Sequence, residues 1–213
     1  MKNVDDLIES AAELADRGLS KGEIADELNV SRETASWLVE RSGASPAADT
    51  DPSDGPSGPH DIHVDWSAIG RDSWRLSTMS AAMADLLEKE GESVDLTIGI
   101  EKAGAPIATS IARELDTDLA TYAPRKHQWD EGDLDDLGGS FSRNFAQIRG
   151  RECYVVDDII TSGTTLTETI EAVKKQGGKP VAACVLVDKQ GHDEIDGVPV
   201  YSLLQVLRVG NDE

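Results

Sequence analysis

Residues Tyr154–Leu166 read Y-V-V-D-D-I-I-T-S-G-T-T-L, and the rest of the chain can be placed from them. Tyr154, Val155 and Val156 have the continuous apolar character of a strand buried in a parallel sheet, and Thr164 onward suits the start of a helix. Between them lie paired carboxylates, Asp157 and Asp158, then a small-residue turn, Thr161-Ser162-Gly163-Thr164-Thr165. The N–H groups, hydroxyls and helix dipole of such a turn receive a phosphate. The carboxylates can accept hydrogen bonds from sugar hydroxyls or orient waters around Mg²⁺. A ligand carrying ribose and a 5-phosphate would use both at once.

Strand and helix patterns alternate around this stretch. A short edge-like strand is expected at His63–Trp66, then a helix over Ser67–Glu90. Strands are expected at Asp95–Ile100, Asp118–Ala123, Glu152–Asp157, Val181–Asp188 and Val198–Leu203, with helices near Pro106–Leu115 and Thr165–Gln176. Such alternation predicts an α/β domain with a doubly wound parallel sheet. Ligands then sit at the carboxyl ends of the strands. A second strand-turn-helix passage, Ile100-Glu101-Lys102-Ala103-Gly104-Ala105-Pro106, offers Lys102 and turn amides to an anion. A third passage, Tyr122–Trp129, carries Arg125 and Lys126 before an acidic run.

The first 43 residues form a different pattern. Leu7, Ile8, Ala11, Leu14 and Ala15 share one helical stripe, and Arg17-Gly18 ends it. Ser20 and Glu23 have capping-box spacing before a second helix with Ile24, Ala25 and Leu28 inward. Ser31 can cap a third helix to about Arg41, with Thr34, Ala35 and Leu38 inward. Three short helices with a tight turn between the last two resemble a helix-turn-helix, in which the third helix enters the major groove N-terminus first. Ser31, Arg32, Glu33, Ser36 and Trp37 are then candidates for DNA contact, with Lys21 and Arg41 nearer the phosphates. Residues 44–60, rich in Pro, Gly, Ser and Asp, read as a flexible linker to an effector domain over 61–213.

Charge bears on the partner. The chain carries 41 acidic against 20 basic residues, a formal net charge of −21, spread over its length. Such a surface suits concentrated salt, where repulsion is screened within about 3 Å at 1 M. Residues 1–43 hold five basic and ten acidic residues, so a DNA reader here would depend on direct base contacts more than on counterion release. An RNA-binding role on this fold would need a basic face, which the composition lacks. The two cysteines, Cys153 and Cys184, fall in expected strands and read as small core residues. No apolar run long enough to cross a membrane and no signal peptide is expected, which places the chain in the cytoplasm.

Cys153–Thr165 closely resembles the phosphoribosyl-diphosphate (PRPP) motif of type I phosphoribosyltransferases. The Glu101–Gly104 turn resembles the diphosphate loop of the orotate enzymes, and Arg125-Lys126 resembles the opening of their catalytic loop. That resemblance implies a type I phosphoribosyltransferase-like sheet. It also implies an effector site drawing on Asp157, Asp158, Thr161, Ser162, Gly163, Thr164, Thr165, Glu101, Lys102, Ala103, Gly104, Arg125, Lys126 and Lys189. Mg²⁺ could accompany a diphosphate ligand; no metal site of the protein's own is expected. Trp129 stands where the enzymes have a second lysine, whose charge would stabilise leaving diphosphate, and Lys189 where they have an arginine. A helix-turn-helix joined to such a domain resembles the archaeal, largely haloarchaeal, regulators of glucose and fructose catabolism related to orotate phosphoribosyltransferase. The resemblance implies a dimeric DNA-binding regulator that senses PRPP, a nucleotide or a sugar phosphate, with no catalytic residues of its own. The rival expectation is a working orotate or purine phosphoribosyltransferase.

Overall fold

A computed structural model describes residues 4–16, 19, 21–28, 30–42, 62–124 and 139–206. The chain divides into two compact units, Met1–Trp66 and Ser67–Glu213. The expected capping pair Ser20–Glu23, the linker over 44–60 and the Arg125-Lys126 passage lie outside this description, Glu23 by its side chain alone.

In the first unit, α1 (Val4–Asp16), α2 (Lys21–Glu27) and α3 (Arg32–Arg41) bury one small core. Ala11, Leu14, Ile24, Ala25, Leu28, Val30, Ala35 and Leu38 fill it. All but Val30, which lies in the α2–α3 turn, belong to the stripes the periodicity predicts, because positions three and four apart share a helix face; Leu7, Ile8 and Ala15 pack half-buried against them. The α2–α3 turn is closed by the Val30 N–H donating to the Ala25 carbonyl at 2.9 Å. Ser31 caps α3, its hydroxyl accepting from the Thr34 N–H at 3.1 Å.

Two expectations fail around the boundary between the units. Residues 62–66 form no strand, and the expected single helix at the start of the second unit is two, α4 (Ser67–Gly70) and α5 (Ser73–Glu90). Asp72 divides them. Its carboxylate accepts from the Trp74 and Arg75 N–H groups, so a new helix nucleates there instead of the old one continuing.

The sheet follows, with β1 (Leu96–Ile100), β2 (Asp118–Ala123), β3 (Ser140–Phe141), β4 (Glu152–Ile160), β5 (Lys179–Asp188), β6 (Glu194–Ile195) and β7 (Val198–Gln205). Helices α6 (Gly104–Leu115) and α7 (Thr164–Lys175) are crossovers. Strand order is β3-β2-β1-β4-β5-β7-β6, with β2, β1, β4, β5 and β7 parallel and the two-residue strands antiparallel at the edges. From β1 the chain crosses to β2 on one side, and from β4 to β5 on the other. The order therefore reverses between β1 and β4, the place where open α/β sheets bind ligands.

One boundary shifts with a consequence. The expected strand stops at Asp157, but β4 runs on to Ile160, since Ile159 and Ile160 pair with Val187 and Asp188 of β5. The paired acids thus lie inside a strand end, Asp157 half-buried and Asp158 buried.

Close helix packing on β1 depends on Gly99. A Cβ there would meet the Ala105 Cα at 2.7 Å and the Ala108 Cβ at 2.8 Å. Gly99→Ala should therefore push α6 off the sheet and lower stability by roughly 1–3 kcal/mol. Denaturant unfolding in molar KCl measures this; an unchanged midpoint would mean that the approach is slack.

Candidate functional site

Two turns meet at the reversal point of the sheet. The first joins β1 to α6 through Glu101, Lys102 and Ala103; the second joins β4 to α7 through Thr161, Ser162 and Gly163. Their union rests on Gly104. A Cβ at that residue would lie 2.5 Å from the Val156 carbonyl oxygen, 2.9 Å from the Asp157 Cα and 3.1 Å from Asp157 Oδ1. Only a residue without a side chain lets the start of α6 rest on β4 at the first carboxylate.

Both helices begin without a side-chain cap. Ala103 precedes α6 and Gly163 precedes α7, and neither supplies a capping hydrogen bond. Helix N-terminal N–H groups have no partner within the helix, so two donor-rich ends lie at adjoining strands. Gly163 takes φ 76°, a left-handed conformation that turns the chain sharply from strand to helix. Hydroxyls crowd the same turn, with Ser162 Oγ and Thr164 Oγ1 at 2.9 Å. Asp157 Oδ1 accepts from the Asp158 N–H at 2.9 Å, which fixes one carboxylate at the rim of the turn.

The other expected residues divide. Glu101 is half-buried and its carboxylate accepts from the Thr121 hydroxyl at 2.9 Å, so it braces the first turn against β2. Lys102 is exposed on that turn. The peptide bond between the two is cis. Lys189 is not a surface lysine: it is 6% exposed, and its N–H donates to the Ile160 carbonyl at the end of β4.

Beside Lys189 stands a pair, Asp188 and His192, to which the sequence motifs assign no role. Asp188 is 1% exposed and organises the turn after β5, accepting from the N–H groups of Gln190, Gly191 and His192 and from the His192 ring at 2.9 Å. The Asp-x-x-x-His spacing was the available signal, but outside a helix such spacing has no fixed geometry. Both cysteines are buried, which pushes their thiols up to about 12, so neither is a nucleophile near neutral pH.

The DNA-contact candidates lie in the other unit. Arg32 and Arg41 are exposed on α3, while Ser36 and Trp37 are half-buried. Trp37 packs partly against the three-helix core, and the Arg41 guanidinium lies 5.4 Å from its ring centre. The Ser31 hydroxyl is engaged by the helix cap and by Thr34. Lys21 pairs with Glu40 at 3.1 Å, and Arg32 Nη2 lies 3.1 Å from where a Gly22 Cβ would stand. The Glu33 side chain lies outside the described residues. Among the described residues no three His, Cys, Asp or Glu side chains gather as a metal site, and no helix is long and apolar enough to cross a membrane.

Known proteins place this geometry. The phosphoribosyl transferase domain family matches residues 65–206. A transcriptional regulator GfcR of Halorubrum lacusprofundi is 70% identical over 213 residues, covering 100% of both chains. One from Methanosarcina mazei is 45% identical over 98% of this chain and 100% of its own. Among solved structures, orotate phosphoribosyltransferase from Aeropyrum pernix superposes with a TM-score of 0.57 at 22% identity, over 79% of this chain and 92% of that one. The Mycobacterium tuberculosis orotate enzyme in complex with PRPP has a TM-score of 0.53 at 19% identity, over 68% and 81%. The second unit has the type I phosphoribosyltransferase fold.

Burial pushes the Asp188 carboxyl up, but the surrounding N–H donors and the His192 ring outweigh it and hold the group below its ordinary 3.8. A carboxyl lowered in the folded state stabilises above the unfolded value, and that contribution is lost as pH falls through the folded one. Asp188→Asn should cost about 2 kcal/mol near pH 7, a difference that shrinks as pH falls below about 3.8. Paired unfolding curves across that range check it, and a pH-independent gap would show that the charge does not organise the turn.

Proposed function

The chain belongs to the GfcR family of transcriptional regulators, and we propose that it binds DNA through α2 and α3 while its phosphoribosyltransferase-like unit senses a phosphorylated small molecule. The observation that carries the sensing half is the contact of Gly104 with Asp157, which joins two uncapped helix N-termini at one strand edge. Thr161–Thr165 would take a 5-phosphate on turn amides and hydroxyls. Asp157 and Asp158 would accept from ribose hydroxyls, and the Glu101–Gly104 turn with Lys102 would take a second anionic group. PRPP, a nucleotide or a sugar phosphate fits that chemistry. Mg²⁺ accompanying a diphosphate would be held mainly by ligand oxygens and water, with the two acids orienting that water.

On the DNA side, α2 and α3 form a helix-turn-helix in this reading, with Arg32 at the leading end of the recognition helix. The Lys21–Glu40 pair and the Arg32–Gly22 contact hold both cations near α2, a placement suited to the phosphate backbone flanking the groove. A homodimer would present two recognition helices to half-sites about one DNA turn apart. The domains are then 1–43 for DNA, 44–60 as tether and 61–213 for the effector. Sugar-catabolism genes are the proposed targets, and the cytoplasm of a salt-loving archaeon the setting that the charge of −21 suits. Ligand-dependent dimer geometry would couple the two units by on the order of 1–3 kcal/mol.

A second reading, an active phosphoribosyltransferase, is favoured by the retention of both turns on that fold. Against it stand Trp129 at the second loop lysine and Lys189 at the arginine.

Two substitutions separate the halves. Asp157→Asn with Asp158→Asn should abolish the transcriptional response to effector while leaving basal operator binding intact; reporter induction that persists would refute the sensing site. Arg32→Ala should weaken operator binding at least tenfold with effector affinity unchanged, read by footprinting and calorimetry. Full operator protection by that variant would move the recognition surface elsewhere.

A further inference from the structure

The Asp188–His192 pair is not used by the reading above, although it stands against the phosphate turn. His192 Nδ1 is 2.9 Å from Asp188 Oδ1. An ionised carboxylate can only accept, so Nδ1 carries the proton and the ring is held with Nε2 directed away from Asp188. Nε2 lies 3.8 Å from the position that a Cβ on Gly163 would take, and Ile195 Cδ1 lies 2.9 Å from the same point. The imidazole is thus beside the residue that opens α7. Residues 157–165 contain two carboxylates and no basic residue, a poor electrostatic setting for a dianion. In molar salt, charges at a distance are screened within about 3 Å, so any compensating cation has to be in contact. An imidazolium that donates from Nδ1 to Asp188 and from Nε2 to an anion meets that requirement.

We propose that His192, oriented by Asp188, is an anion ligand of the Thr161–Thr165 turn, donating from Nε2 to a phosphate or sulfate oxygen bound there. This inference rests on the phosphate-site reading of that turn. The charged and titratable groups nearest His192 along the elements that meet there are Asp188 at the end of β5 and Lys189 after it, Asp157 and Asp158 in β4, Asp193 on its own segment and Glu194 in β6. The start of α7 contributes hydroxyls, and β6 contributes the apolar Ile195.

The test is calorimetric binding of sulfate and of ribose 5-phosphate to the full-length chain in molar KCl, for the parent, His192→Asn and His192→Gln. Asparagine reproduces the Nδ1 contact alone, and glutamine reproduces a donor near Nε2. His192→Asn should weaken both anions roughly tenfold, and His192→Gln should lose markedly less. In the parent, ring ¹⁵N shifts should move to values for two protonated nitrogens when sulfate binds, a signal resolvable among four histidines. Equal binding by parent and His192→Asn would overturn the proposal, as would equal losses in both variants, which mark a purely structural turn. Should a variant fail to fold, the parent's ¹⁵N response decides alone, and shifts unmoved by bound sulfate would overturn the proposal. A parent that binds neither anion would overturn the phosphate reading of the turn itself, and this inference with it.

Discussion

The second unit depends on a steric constraint at one backbone crossing. α6 can start where it does only because Gly104 has no side chain to strike the Val156 carbonyl and Asp157. That contact converts two ordinary strand-turn-helix passages into neighbours with their helix N-termini at one sheet edge. Gly99, one layer deeper, lets the same helix settle on β1. Remove either close approach and the two donor-rich turns separate, whatever their own residues remain. The site is therefore a property of packing before it is a property of charge.

Charge then works against the site. The chain is strongly acidic, and the Thr161–Thr165 turn follows closely on two carboxylates. For the proposed anion to bind there, direct hydrogen bonds from turn amides, hydroxyls and nearby cations would have to outweigh that local repulsion. The buried Lys189, whose backbone N–H bonds the Ile160 carbonyl, and the imidazole fixed by Asp188 both stand close to the end of β4. A similar argument applies to the proposed DNA surface on α3. With ten acidic residues among the first 43, specific donors such as Arg32 would have to matter there more than overall attraction to DNA.

Much of this was legible in the sequence, for physical reasons that vary by element. The parallel strands were readable because burial on both faces demands unbroken apolar runs, as in Leu96–Ile100 and Val181–Asp188. Two-residue strands such as Ser140–Phe141 carry no pattern and exist only through pairing with β2. The extension of β4 past its acids was hidden because Asp is rarely found inside a strand, and here pairing with β5 overrides that preference. The break at Asp72 was readable in principle from a capping residue, yet the apolar pattern on both sides masked it. Both turns were legible as motifs. Their contact was not, since it arises from a tertiary approach with no local signal. The Asp188–His192 pair was missed for the same reason.

The central claim is that a retained ribose-phosphate site now serves sensing and not turnover. The most direct test is calorimetric titration of PRPP in molar salt beside a steady-state assay of diphosphate release with orotate and each nucleobase. The account predicts PRPP binding with no release of diphosphate above background. Steady release with any one base at ordinary enzymatic rates, about 1 s⁻¹ or faster, would contradict it and make the chain an enzyme first.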